Sequence, residues 1–223
     1  MEKKKVAVIL SGCGVYDGSE IYESTLVMLA LDKAGVAYQC MAPNVEQLHV
    51  INHLTGEEMQ EKRNVLVESA RLARGEIIDL ADANPDDYAG LIFPGGFGAA
   101  KNLSSFAVAG ADMVVNPTVA NFTQSMHMMN KIIGLVCIAP VMAPLLFGEG
   151  VKCTIGTDKD TAAVISAMGG KHQDCPVEDF YVDEERNIVT TPAYMLAGSI
   201  SQAAIGIDKL VGVVIARLRF YVI

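Results

Sequence analysis

Positive charge is scarce in this chain and nowhere concentrated. The 223 residues include 17 lysines and arginines against 26 aspartates and glutamates, which gives a formal net charge of −9. Proteins that bind nucleic acid present clustered basic side chains to the phosphate backbone. Because the basic residues here are spread along the chain, we expect no nucleic-acid partner.

Long hydrophobic runs are also missing. Two long uncharged stretches, 132–148 and 188–207, are interrupted by prolines or by polar residues, so neither has the composition of a membrane-spanning helix. The charged amino terminus is followed by only a short apolar run, 6–10, which is too short for a secretory signal peptide. The sequence therefore predicts a protein that is neither secreted nor held in a membrane.

Cysteine is sparse, and its spacing matches no common framework. Five cysteines are an odd number, with no Cys-x-x-Cys pair and no cysteine and histidine cluster at zinc-binding spacing. This pattern favours reduced thiols and no bound metal. With no secretory signal recognised, it predicts a cytoplasmic protein.

Two histidines, His49 and His53, stand four residues apart in the segment 44–64 and could share one helix face. The metal-binding motif with this spacing requires glutamate directly after the first histidine, and position 50 is valine. A metal would also need a third ligand. We therefore interpret the segment as an insertion that shapes a pocket, with His53 as a candidate substrate contact.

The order of predicted elements indicates an α/β fold. Apolar runs predict strands at 5–10, 36–42, 77–80, 91–93, 132–137 and 151–156, with two more within 181–190. Helical patterns predict helices at 19–34, 65–75, 117–130, 140–147, 161–168 and 199–217. Such alternation favours a three-layer, doubly wound, mostly parallel sheet of the flavodoxin-like type. The length and the 51% hydrophobic content suit one domain spanning 1–223.

One predicted strand ends at a thiol. The apolar run 132–136 leads into Cys137, and Pro140 follows at a predicted helix start. Open α/β sheets bind ligands at the carboxyl ends of their strands, so Cys137 is a candidate nucleophile. The alternative is a buried cysteine that only fills core space, and chain position alone leaves both interpretations open.

An acidic side chain of the first predicted helix should point inward. Glu23 shares a helical stripe with Val27 and Ala34, which turns its carboxyl group toward apolar neighbours. Burial of this kind predicts a raised pKa and a role in proton transfer. Ser19 is the candidate N-cap, and for Glu20 the simpler interpretation is a first-turn acid that favours the helix dipole.

A glycine turn follows the predicted strand 91–93. Backbone N–H groups exposed at Gly95 and Gly96 could point at a developing oxyanion. Neither this turn nor the glycine-rich loop 11–18 fits a known nucleotide motif, because the former lacks the Walker A ending and the latter has the wrong glycine spacing. We therefore expect no cofactor.

A cysteine, a helix glutamate and a glycine turn at one sheet edge resemble the ThiJ/PfpI superfamily of the class I glutamine amidotransferase-like fold, in which a cysteine on a sharp strand–helix turn faces a glutamate. The more specific resemblance is to the ElbB-type glyoxalases of that superfamily. It is carried by the runs 11–21, 49–53, 93–104, 137–140 and 189–194.

The resemblance implies a role for each candidate residue. The nucleophile is Cys137, the acid and base is Glu23, and the oxyanion donors are the backbone N–H groups of Gly96 and Ile138. The candidate pocket residues are Glu20, His53 and Asn102. The resemblance also implies no metal, no cofactor and a homodimer.

The chain departs from the patterns of two other branches of the superfamily, and each departure weakens the prediction of that branch's activity. Peptidase-like members carry histidine directly after the nucleophile, and this chain has Ile138 there. Glutamine amidotransferases use a late His-x-Glu pair, whereas the only histidine after Cys137 is His172, which stands before the expected place. Both the protease and the amidotransferase hypotheses are therefore weakened.

The sequence thus predicts a cofactor-independent glyoxalase that converts a small dicarbonyl substrate such as glyoxal to glycolate. In this hypothesis the Cys137 thiolate adds to an aldehyde, stabilised by backbone dipoles and by a protonated Glu23. The alternatives are a redox or carbonyl-stress sensor with an oxidisable cysteine, or an interaction protein without chemistry. The tail 217–223 supports no prediction.

Overall fold

The structure is a computed structural model that describes residues 5–218. Its strands are β1 (Lys5–Ile9), β2 (Tyr38–Ala42), β3 (Ile77–Asp79), β4 (Tyr88–Phe93), β5 (Ile132–Val136), β6 (Lys152–Cys153), β7 (Lys171–His172), β8 (Tyr181–Asp183) and β9 (Ile188–Thr191). Its α-helices are α1 (Ile21–Lys33), α2 (Val65–Leu72), α3 (Phe97–Lys101), α4 (Phe106–Ala109), α5 (Pro117–Met128), α6 (Ala143–Phe147), α7 (Lys159–Ala167) and α8 (Ile200–Leu218).

A seven-stranded sheet forms the centre of the fold, in the order β3-β2-β1-β4-β5-β9-β8. Every neighbouring pair in it is parallel except β8 and β9, which run antiparallel. Strands β6 and β7 form a separate two-stranded sheet. The predicted mostly parallel, doubly wound architecture is confirmed.

Helices cover both faces of the sheet because successive side chains of a strand point to opposite sides. In β1, Val6 and Val8 pack with Val27 of α1 and Val211 of α8 in one buried cluster. The intervening residues of β1 belong to a second buried cluster with residues of α5, on the other face. The central strands are thus buried on both sides, as parallel strands usually are.

The segment 44–64, interpreted from the sequence as an insertion, lies between β2 and α2. It contains isolated β-bridges, Glu46 with Asn64 and Ile51 with Glu58, and no regular helix. His49 and His53 therefore do not share a helix face. The segment has too little regular hydrophobic periodicity to define a helix, and its backbone is held by hydrogen bonds to other parts of the chain.

Several element boundaries also differ from the predicted ones. The strand predicted at 151–156 shortens to β6, and β4 begins at Tyr88, before the predicted 91–93. Short helices α3 and α4 were not predicted, while α8 closely matches the predicted 199–217. Residues 219–223 of the unassigned tail lie outside the described residues. Between residues 5 and 218, no helix has the length and apolar character needed to cross a bilayer.

Core packing around β5 predicts a large cost for truncating its side chains. Leu135 is fully buried, whereas Leu54 is 93% exposed. We expect Leu135→Ala to lower the free energy of unfolding by about 2 to 5 kcal/mol, because it removes buried apolar surface and leaves a cavity. The matched Leu54→Ala should change it by less than about 0.5 kcal/mol. Urea denaturation followed by circular dichroism measures both, and equal effects would contradict the described burial.

Candidate active site

Cys137 lies at a sharp turn at the carboxyl edge of the sheet. It directly follows β5 and adopts a left-handed backbone conformation, with φ of +63°, which is uncommon for a residue other than glycine. Its N–H donates to the Thr191 carbonyl oxygen at 2.9 Å, and a 3-10 helix, Ala139–Met142, begins just beyond. The side chain is placed where the sequence predicted it, with Cys137 only 7% exposed.

Glu23 is completely buried and its carboxyl group is fully engaged. Oε2 accepts the Gly95 N–H at 2.9 Å, and Oε1 accepts the Tyr194 N–H at 3.0 Å. The side chain of Cys137 lies beside the carboxyl group, against the same Gly95, and hydrogen bonding between the two groups influences both pKa values. Burial raises the pKa of Glu23 to about 7, with a further contribution from the Glu20 charge, although these hydrogen bonds oppose the shift.

The Cys137 sulfur is in a similarly dry environment. Burial raises the pKa of the thiol well above its ordinary value, and the Glu23 charge adds to this shift. The backbone N–H groups of Gly96 and Ile138 donate to the sulfur and act in the opposite direction. We therefore expect the proton to rest on sulfur, with S–H donating to the Glu23 carboxylate. This differs from the thiolate expected from the sequence, because burial outweighs the two amides.

Two glycines allow the β4 turn to approach this pair. A side chain at Gly95 would press against Cys137 Cβ and lie 2.6 Å from Glu23 Oε2. Gly96 has φ of +98°, and a Cβ there would collide with the backbone of Glu20 and Gly18. Only glycine leaves room for the Gly96 N–H to reach the sulfur in this conformation.

Glu20 caps helix α1 and lies near the reactive pair. Its Oε2 accepts the Glu23 N–H at 2.6 Å, and burial raises the pKa of its carboxyl group. The predicted N-cap, Ser19, is wrong: its hydroxyl oxygen accepts the Ser11 N–H at 2.8 Å and is therefore used within the loop before the helix. Glu20 therefore caps the helix, a role predicted for Ser19 from the sequence, and its charge also raises the pKa of Glu23.

His53 connects the segment 44–64 to the loop after β1. Its Nε2 accepts the Tyr16 N–H at 3.2 Å, and its ring lies 4.9 Å from the Tyr16 ring. Its Nδ1 is 3.0 Å from the Ile51 carbonyl oxygen, so this arrangement requires the neutral tautomer with the proton on Nδ1. These contacts position the loop, and contact with a substrate stays a prediction.

Asn102 also joins loops around the site. Its side-chain nitrogen donates to the Ser11 and Asp17 carbonyl oxygens, both at 2.8 Å. Its Oδ1 accepts the Leu48 N–H at 3.0 Å. Because both amide hydrogens are used within the protein, the structure gives Asn102 a positioning role, and its predicted place in a substrate pocket remains untested.

One contribution to the site was not assigned from the sequence. The Tyr194 N–H that binds Glu23 follows Ala193, which has φ of +43°. The run 189–194 carried part of the family resemblance, and a proline next to a strand end marks a chain reversal. Nothing in that run shows that its backbone meets α1, so the contact could not be predicted.

Other candidate chemistry is not assembled in the described part of the chain. Within residues 5–218, no group of three or more histidine, cysteine, aspartate or glutamate side chains is arranged to hold a metal ion. All five cysteines, which lie in this range, are free. His172 belongs to β7 in the small sheet, and its Nε2 accepts the Ile155 N–H at 3.2 Å.

Comparison with solved structures defines the class of protein. An isoprenoid biosynthesis protein with an amidotransferase-like domain from Ehrlichia chaffeensis has a TM-score of 0.89 and 38% identity, over 96% of this chain and 99% of that chain. Glyoxalase III from Candida albicans has a TM-score of 0.58 and 16% identity, over 96% of this chain and 97% of that chain. The fold is that of the DJ-1/ThiJ/PfpI superfamily, the class I glutamine amidotransferase-like fold.

Curated relatives define the family more closely. The human mitochondrial glutamine amidotransferase-like class 1 domain-containing protein 3 is 45% identical over 217 residues, covering 93% of this chain and 81% of that protein. The rat mitochondrial ES1 protein homolog is 43% identical over 219 residues, covering 94% and 82%. The chain belongs to this family of ES1 and glutamine amidotransferase-like class 1 domain proteins. No protein-family model matches it.

These relatives correct one prediction. The human, rat and zebrafish proteins are all named mitochondrial, so the predicted cytoplasmic location is contradicted. The prediction rested on reduced thiols and on the lack of a recognised secretory signal. Those features argue against secretion but do not distinguish the cytoplasm from other compartments with reduced thiols.

The close approach of the β4 turn predicts that residue 95 tolerates only glycine. We expect Gly95→Ala to lower the free energy of unfolding by about 1 to 3 kcal/mol, because the added methyl group forces Cys137 and Glu23 apart. The control is Gly212→Ala in α8, where a Cβ meets no atom within 4 Å and helix propensity favours alanine. Urea denaturation compares the two variants. A Gly95→Ala protein as stable as the parent would show that the turn does not lie against the pair.

The raised pKa of Glu23 predicts a specific pH dependence of stability. Its pKa is about 7 in the folded protein against an ordinary 4.5, so protonated Glu23 favours folding and this contribution is lost as the pH rises through that window. Relative to Glu23→Gln, the free energy of unfolding of the parent should fall by about 3 kcal/mol over the same window. Urea titrations of both proteins at several pH values measure the difference. A difference that stays constant with pH would contradict the assignment.

Proposed function

We propose that the protein converts small dicarbonyl compounds such as glyoxal to 2-hydroxy acids, using Cys137 and Glu23. The observation that carries the proposal is the placement of Cys137 and the buried Glu23 carboxyl group side by side against Gly95, where burial raises the pKa of Glu23 to about 7. The substrate class rests on the resemblance to ElbB-type glyoxalases, and the fold shared with glyoxalase III is consistent with it. The fold itself hosts several chemistries.

In the first step the Cys137 sulfur forms a bond to an aldehyde carbon of the substrate. The thiol proton passes to Glu23, and the electron pair of the C=O bond moves onto oxygen. The N–H groups of Gly96 and Ile138, which already lie at the sulfur, donate to this oxyanion. Glu23 then returns the proton to the oxygen, which gives a hemithioacetal.

In the second step the substrate is oxidised at one carbon and reduced at the other. Glu23 removes the proton from the carbon attached to sulfur, and the electron pair moves through an enediol to the neighbouring carbonyl group. Protonation of that second carbon by Glu23, together with transfer of the hydroxyl proton from the first oxygen to the second, gives a thioester of the hydroxy acid. No external oxidant or reductant is consumed, and a pKa near neutrality suits a group that alternately accepts and donates a proton.

In the last step water hydrolyses the thioester. The hydroxy acid leaves, glycolate in the case of glyoxal, and Cys137 regains its proton. Every step uses this chain's own groups and water. The raised pKa of the thiol keeps the free thiolate scarce, so both this reaction and the oxidation that a sensor requires depend on a group such as Glu23 that accepts the thiol proton.

The proposal predicts the effect of removing either side chain. Cys137→Ala should reduce the conversion of glyoxal to glycolate to the uncatalysed rate. Glu23→Gln should reduce kcat by at least about 100-fold, since proton transfer by a positioned group typically contributes this much. Glycolate is measured by chromatography. The control, Cys13→Ala, removes a partly exposed thiol on the loop after β1 and should keep the parent rate.

Two results would contradict the proposal. One is glycolate formation by Cys137→Ala at the parent rate, which would exclude Cys137 as the nucleophile. The other is a parent protein whose glycolate production does not exceed that of buffer, which would exclude the reaction itself. Peroxide treatment followed by mass spectrometry then tests the sensor alternative, which requires selective oxidation of Cys137.

A further inference from the structure

A small cleft lies between α3 and the segment 44–64. It has a volume of about 230 Å³ and is lined by Tyr16, Ile51, Gly56, Phe97 and Lys101. Apolar and aromatic groups provide most of this lining, and Tyr16 and Phe97 are 43% and 49% exposed. The cleft is therefore open to solvent and large enough for a single planar ring with a short substituent.

Lys101 is the cationic member of this lining. Its Nζ donates to the Tyr16 carbonyl oxygen at 2.8 Å and lies 5.5 Å from the centre of the Phe97 ring. In the described chain, residues 5–218, no carboxylate lies within ion-pair distance of this nitrogen. The amine is thus held by a neutral carbonyl group, and its other N–H groups are available toward the cleft.

The surroundings of Lys101 favour the neutral form of its amine more than the surroundings of an exposed lysine would. Burial lowers the pKa of Lys101, and the more distant charges of Asp17 and Glu58 oppose this shift only in part. A lysine that loses its proton more readily is a better nucleophile toward carbonyl compounds.

We propose that Lys101 is a covalent site for small, planar, apolar aldehydes, which it binds as an imine. Nζ donates its electron pair to the aldehyde carbon, the C=O pair moves onto oxygen, and proton transfer gives a carbinolamine. Loss of water then forms the C=N bond. The Tyr16 carbonyl oxygen accepts the remaining N–H throughout, and the protonated imine lies over the Phe97 ring as the ammonium group does.

This site is independent of the proposed reaction at Cys137. It uses a different nucleophile, a stable nitrogen adduct instead of a transient sulfur adduct, and an aldehyde that needs no second carbonyl group. Failure of glyoxal turnover would leave the imine site intact, and failure of imine formation would leave the turnover proposal intact.

Reductive trapping tests the proposal on the native protein. Benzaldehyde and cyanoborohydride are added at pH 7, where hydride reduces an imine to a stable secondary amine and leaves sulfur adducts untrapped. Peptide mass spectrometry then gives the labelling rate of each lysine. Lys101 should be labelled at least about fivefold faster than Lys62, whose side chain is 81% exposed. Equal or slower labelling of Lys101 would overturn the proposal.

Two variants separate binding in the cleft from general lysine reactivity. Lys101→Arg keeps the positive charge and a donor for Tyr16, and should abolish labelling at this position without changing Lys62. Phe97→Ala should slow benzaldehyde labelling of Lys101 at least about threefold by removing the aromatic wall, with little change for acetaldehyde. An unchanged benzaldehyde rate in Phe97→Ala would overturn the cleft as the recognition element.

Discussion

The Glu23 carboxyl group is the point where separate parts of the chain meet. It comes from α1, and it accepts N–H groups from the turn after β4 and from the segment after β9. The same group binds the thiol that follows β5. A buried carboxyl group is costly unless it is hydrogen-bonded, so these contacts fix the three loops relative to one another. The crowding at this point leaves room only for glycine at position 95.

Much of this arrangement could be predicted from local patterns. Strand and helix alternation gave the α/β architecture, the end of an apolar run placed Cys137, and a helical stripe turned Glu23 inward. Contacts between distant residues could not be predicted, such as the Tyr194 N–H that reaches Glu23 across 171 positions. The shape of the segment 44–64 could not be predicted for the same reason, because it depends on hydrogen bonds that the Ile51 and Leu48 N–H groups donate to Asp17 and Asn102.

Which side chain of the Cys137 and Glu23 pair holds the proton also could not be predicted from the sequence. Backbone donors near a cysteine suggest a thiolate, but the degree of burial decides which effect is larger. In this fold burial dominates at both Cys137 and Glu23. Glu23 therefore acts first as the base that receives the thiol proton and later as the acid, and the mechanism needs no histidine. The family names of the relatives state no substrate, so this proton transfer is the property on which the proposed chemistry depends.

The most direct test of this account is an NMR titration of the Glu23 carboxyl carbon. Protein labelled with ¹³C in glutamate is followed from acid to alkaline pH, and the Glu23→Gln variant assigns the signal. Burial of the Glu23 carboxyl group predicts an inflection near pH 7, well above the value of about 4.3 that glutamate has in model peptides. An inflection at that ordinary value would show that Glu23 cannot hold the thiol proton at neutral pH, and would contradict the mechanism.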